Sequence, residues 1–102
     1  MEIPLLTSGE SKVYQALIEL GETSVGNILK FSSVSHSKIY DILKRLSNKG
    51  LVSSINKNGR QYFSAANPKQ LKNLITKEEQ ELAKNKKQIM QMIKKLKVRQ
   101  NI

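Results

Sequence analysis

Within nine residues, Ser37, Lys38, Lys44 and Arg45 set hydroxyl and cationic groups along what reads as one helix face. Hydroxyl and ammonium groups near a helix start can meet base edges, and cations further along meet phosphate. An isolated helix of this kind is ordinarily just a solvated face. The elements on either side of it turn the reading towards double-stranded DNA. Other chemistry finds little support. There is no cysteine, which excludes disulfides and thiolate metal sites, and His36 is the only histidine, so no metal site is expected. His36 reads equally as a groove contact or a plain surface residue. No nucleophile–base set, P-loop or GxGxxG pattern occurs, so no enzyme activity and no cofactor are expected.

The helix that must present these groups runs from Ser35 to Gly50, with residues 36–49 as its working length. Ile39, Ile42, Leu43 and Leu46 recur at the helical period and form its apolar face. Ser37, Lys38, Asp41, Lys44, Arg45 and Asn48 lie on the other side. Ser35 suits the N-cap, Gly50 suits a left-handed stop, and Lys49 suits the negative end of the dipole. Asp41 is awkward on a DNA-facing surface, and pairing with Lys38, Lys44 or Arg45 is favoured over a cytosine contact. Tyr40 lies on the flank of the apolar stripe, as a core-edge residue whose hydroxyl reaches outward to the same face.

In chain order, Thr7-Ser8-Gly9-Glu10 fits a capping box. Val13, Ala16, Leu17 and Leu20 then form an apolar stripe ended by Gly21, with Tyr14 and Ile18 on a second side. Ser24 caps a short helix with Val25, Ile28 and Leu29 inward, and its start can offer a backbone N–H to phosphate. Phe31 to Val34 reads as the turn before the focal helix. After that helix, Leu51 to Ile55 and Arg60 to Ser64 read as strands around Asn56-Lys57-Asn58-Gly59, where Asn-Gly favours a tight hairpin. A helix-turn-helix followed by a hairpin with a basic tip is a winged helix. The tip, residues 56–60, carries Lys57, Asn58 and Arg60 to phosphate or a minor groove. Either Tyr62 or Phe63 packs inward.

Asn67-Pro68 starts the last helix, expected to reach about residue 98. Ile75, Leu82, Ile89 and Leu96 are spaced by seven, and Leu71 and Met92 share the companion position with Glu78 and Asn85. That is a coiled-coil seam with polar interruptions. Pairing with a second copy is expected, with Tyr14 and Ile18 contributing.

The formal net charge of +10 points to a polyanionic partner. Eight basic residues face five acidic ones through residue 66, and ten face three from residue 67 onward, so most of the excess sits in the tail. No window has the apolar length of a membrane span and the N-terminus lacks signal-peptide features, so a cytoplasmic protein without a membrane partner is expected.

Leu6-Thr7-Ser8-Gly9-Glu10-Ser11-Lys12-Val13-Tyr14-Gln15-Ala16-Leu17 resembles the opening helix of TrmB-type archaeal transcriptional regulators. Ser37 to Leu46 followed by Lys49-Gly50-Leu51-Val52 resembles their recognition helix and strand entry, and Tyr62 to Pro68 their wing exit. The resemblance covers Leu5 to Leu71. It implies a dimeric regulator of double-stranded DNA with a coiled coil after the wing. Such regulators typically add a C-terminal effector domain that senses sugars. This chain reads as a DNA-binding-only relative or an N-terminal fragment, and no small-molecule effector site is apparent.

The expected architecture is therefore mainly α with a small β-hairpin. Residues 1–66 form a winged helix-turn-helix DNA-binding domain and residues 67–102 a long basic dimerisation helix. The expected function is a homodimeric, sequence-specific transcriptional regulator. The alternative is a winged-helix adaptor that binds protein in transcription or assembly machinery.

Overall fold

The computed structural model describes residues 3–99, without the side chains of the last two. The order is α1 (Ser8–Leu20), α2 (Val25–Ser32), α3 (Ile39–Asn48), β1 (Val52–Lys57), β2 (Arg60–Ala65) and α4 (Gln70–Arg99). The chain divides into two compact units between Gln70 and Leu71.

In the first unit, α1 begins with the expected box. The Glu10 N–H donates to Thr7 Oγ1 at 3.1 Å, and the Thr7 N–H donates to Glu10 Oε1 at 2.8 Å. These bonds satisfy donors that a helix start leaves open. Val13, Ala16 and Leu17 are buried, with Ile28 of α2 and Ile39, Ile42, Leu43 and Leu46 of α3. Leu51, Val52 and Phe63 complete the core from the hairpin. Each of these side chains other than Ala16 contributes about 1.5–3 kcal/mol on leaving water. Two expectations on α1 change. Leu20 belongs to the surface, because Gly21 turns the chain away at once, whereas Tyr14 is buried, with its hydroxyl lacking a hydrogen-bond partner.

The start of α3 also differs from expectation. Ser35 does not cap it. The Lys38 N–H donates to the Ser35 carbonyl at 3.1 Å, making residues 35–38 a separate turn, and the helix starts at Ile39 with Lys38 as its cap residue. α2 in turn runs on through Phe31 to Ser32 and stops at Ser33 in a left-handed conformation. The end of α3 is as expected. Gly50 takes φ 77°, its N–H donates to the Ser47 carbonyl at 3.0 Å, and the Leu51 N–H reaches the Leu46 carbonyl at 3.0 Å. This is a Schellman motif, and Leu46 and Leu51 are both fully buried beside it.

β1 and β2 pair antiparallel from Val52↔Ala65 to Lys57↔Arg60. Only Asn58 and Gly59 lie between them, both at positive φ (52° and 78°), which is the type I′ pattern matched to strand twist. Thr23, between α1 and α2, exchanges backbone hydrogen bonds of 2.9 and 2.8 Å with Phe63. The base of the hairpin is thereby tied to the helices. Of the two aromatic candidates, Phe63 is the buried one.

The second unit is α4. Asn67 caps its entry, with Oδ1 accepting from the Lys69 N–H at 2.9 Å, and regular helix begins at Gln70, two residues after Pro68. Among the described residues, no helix is long and apolar enough to cross a membrane.

Candidate nucleic-acid interface

The exposed side of α3 and the near side of the hairpin border one shallow groove. Tyr40, Leu43, Lys44, Ser47 and Asn48 line it from the helix, and Val52, Ser53, Ser54, Gln61 and Phe63 from the hairpin. Leu43, Val52 and Phe63 form its apolar floor, since all three belong to the core. Its rim carries hydroxyls, amides and the Lys44 ammonium. Tyr40 is 57% exposed, so it is a surface residue of this groove and not a core-edge one. Ser47, Ser54 and Gln61 had no assigned role in the sequence, and Asn48 was placed only on the polar face of the helix. The signal was there in the strands, where polar residues stand next to core residues of a two-stranded sheet with one covered face.

The cations differ in their partners. Lys49 Nζ lies 2.9 and 3.1 Å from the two carboxylate oxygens of Glu10, which is almost wholly buried. Arg45 Nε sits 3.8 Å from Glu10 and 3.6 Å from Asp41 one turn earlier. Arg45 Nε thus lies at ion-pair distance from two carboxylates while its side chain remains 46% exposed, and the expected local partner of Asp41 is Arg45. Burial pushes the Glu10 carboxyl pKa up. The Thr7 N–H, the Lys49 hydrogen bond and the charges of Lys49 and Arg45 outweigh it, and the net value lies below the ordinary one. The Glu10 cluster thus ties the first turn of α1 to the last turns of α3.

On the wing, Lys57 Nζ is 2.9 Å from Glu22 and 5.9 Å from the centre of the Tyr62 ring. Both members of that ion pair are exposed, so water and phosphate can compete for Lys57. Among the described residues, Lys38, Lys44 and Arg60 have no ion-pair partner. Arg60 flanks the Asn58-Gly59 tip opposite Lys57. Ser35, His36, Ser37 and Lys38 are all exposed in the turn that leads into α3, with the hydroxyls of Ser35 and Ser37 3.3 Å apart. Ser24 is half-buried as the cap residue of α2, and its side chain makes no capping bond.

Of the expected pairing residues, Ile75, Leu82, Ile89, Met92 and Leu96 are exposed on α4, and Leu71 is half-buried. Ile18 is 48% exposed on α1, but Tyr14 is only 3% exposed and has little surface left for a second chain. Among the described residues, no group of three or more His, Cys, Asp or Glu is placed to hold a metal ion.

The chain is 37% identical over 57 residues to the HTH-type sugar sensing transcriptional regulator TrmBL1 of Pyrococcus furiosus; the match covers 56% of this chain and 17% of that relative. Its fold is similar to that of TrmBL2, an archaeal chromatin protein, with a TM-score of 0.76 at 20% identity over 90% of this chain and 35% of the other. It is also similar to Bordetella bronchiseptica BpsR, whose DNA binding is regulated by 6-hydroxynicotinic acid. There the TM-score is 0.59 at 17% identity, over 83% of this chain and 61% of the other. Both structures support a long helix attached to a winged helix-turn-helix. Residues 6–69 match the model of the family described as sugar-specific transcriptional regulator TrmB, and with more than half of its length inside that match the chain belongs to the TrmB family.

Proposed function

We propose that this chain is the DNA-binding part of a transcription regulator and acts on double-stranded DNA as a homodimer. Ser37, Lys38 and Tyr40 approach the major groove, Lys44 meets the phosphate that borders it, and Lys57, Asn58 and Arg60 grip flanking phosphate or the minor groove. Ser24, Ser35 and His36 serve the same face from its edge. The observation that carries this reading is the groove between α3 and the hairpin, polar at its rim, with Lys44 lining it and Arg60 on the same hairpin, both without an ion-pair partner among the described residues. An unpaired cation on a rigid element releases counterions from DNA without first breaking a protein ion pair. Arg45 supports α3 instead of leading the contact. The exposed apolar seam of α4 supports the second copy. Sugar specificity belongs to the family's description and is not part of this reading.

The test is fluorescence anisotropy with a random-sequence duplex across a salt series. The intact chain is compared with Lys44→Ala/Arg60→Ala. Binding weakens with salt, and the variant's slope is shallower by about two, one for each lost phosphate contact. Absence of salt-sensitive binding at low salt overturns the reading and leaves the adaptor function in its place.

A further inference from the structure

The seam of α4 carries information about direction, and this inference rests on the proposed homodimer. Ile75, Leu82, Ile89 and Leu96 repeat at one heptad position and are 51%, 70%, 57% and 51% exposed. Leu71, Glu78, Asn85 and Met92 repeat at the other. Charge is distributed unevenly along the same helix. The acids Glu78, Glu79 and Glu81 form one short stretch, and every charged residue from Lys84 onward is basic.

A parallel pair aligns each residue with its own copy. Glu78 then faces the partner's Glu78 inside the seam, the acidic stretches lie side by side, and the basic C-terminal halves run along each other. Like charges held together in a desolvated seam are destabilising. Parallel packing does give one attractive contact, Glu81 with the partner's Lys86. It does not relieve the seam itself.

Antiparallel packing sets each heptad position against the other one. The layers become Ile75 on the partner's Met92, Leu82 on the partner's Asn85, Ile89 on the partner's Glu78, and Leu96 on the partner's Leu71. No acid then faces its own copy, and each polar seam residue meets an apolar one. The stretch Glu78 to Glu81 lies along the partner's residues 86–89, which open with Lys86 and Lys87, and Glu79 shares a flank with the partner's Lys86. Two-fold symmetry makes each of these contacts twice. We infer that α4 pairs antiparallel with a second copy of this chain, in the register that sets Ile75 against the partner's Met92.

The chain has no cysteine, so an introduced thiol is the only one present. Ile75→Cys and Met92→Cys variants are prepared, oxidised alone, and oxidised after being mixed and allowed to exchange chains. Antiparallel packing places the thiol introduced at position 75 of one chain next to the thiol introduced at position 92 of the other. It separates the two copies of position 75 by about 25 Å along the axis, beyond any disulfide. The mixture then forms a disulfide-linked dimer and neither variant alone does. Linkage within each single variant, or a mixture that links no better than the single variants, overturns the antiparallel register. Sedimentation equilibrium of the intact chain separates this from failure of the underlying reading, because a monomer removes the homodimer altogether.

Discussion

Glu10 works at both ends of a side chain that barely touches water. One oxygen accepts from the Thr7 N–H, and both meet Lys49, which is 39 positions away in the chain. Because its folded pKa lies below the ordinary 4.5, the carboxylate stabilises the fold fully above that value, and the contribution is lost as pH falls through the depressed one. Glu10→Gln should cost about 2 kcal/mol at neutral pH, a figure reduced from that of a fully buried pair because Lys49 is partly exposed. It should also flatten the loss of stability below pH 4.5, as read by denaturant titration at several pH values. The capping half of this role was legible in Thr7-Ser8-Gly9-Glu10, since a capping box is local. The ion-pairing half was not, because no spacing rule joins Glu10 to residues 45 and 49. The same blind spot hid the pairing of Arg45 with Glu10, whereas its pairing with Asp41 follows the i,i+4 spacing that was expected. Arg45→Ala should therefore leave the salt slope of DNA binding nearly unchanged, in contrast to Lys44→Ala, when both are measured by anisotropy.

Elements were legible where their signals are local. Asn58-Gly59 gave the wing turn and Gly50 the stop of α3, because each position needs a left-handed backbone that few residues accept. Gly59→Ala should cost about 1 kcal/mol, loosening the wing tip and weakening DNA binding, with hydrogen exchange at Lys57 and Arg60 rising before global unfolding. The start of α3 was misjudged because Ser35 has the right chemistry for a cap, yet its carbonyl is used to close the turn to Lys38. The tie between Thr23 and Phe63 could not be foreseen either, being a pairing of loop with strand across about 40 residues of chain. That tie holds the Glu22 region beside the wing, where Glu22 occupies Lys57. Glu22→Gln should free Lys57 and remove a charge that repels phosphate. DNA affinity at low salt should then rise a few-fold, with a slope steeper by about one.

At the scale of the whole molecule, the net charge pointed to a polyanion, and its distribution along the chain set most of the excess outside the DNA-facing groove. Most of the excess charge lies on α4, whereas the groove between α3 and the hairpin has Lys44 as its one lining cation. The two-fold symmetry of the proposed homodimer makes its DNA contacts recur one turn of B-DNA or a multiple apart. Hydroxyl-radical footprinting on a selected site should accordingly show two protected half-sites, one turn or a multiple apart, and not one undivided patch. β1 has a different consequence. Among the described residues it bonds only to β2, so its other edge is open, with Ile55 48% exposed along the hairpin. An open edge is a template for a further strand, and here the charge of +10 holds other copies away from it. Colloidal stability and nucleic-acid affinity thus draw on the same cations. Screening them with salt, in the absence of DNA, removes the barrier to edge-to-edge association and favours turbidity and fibre formation in concentrated solution.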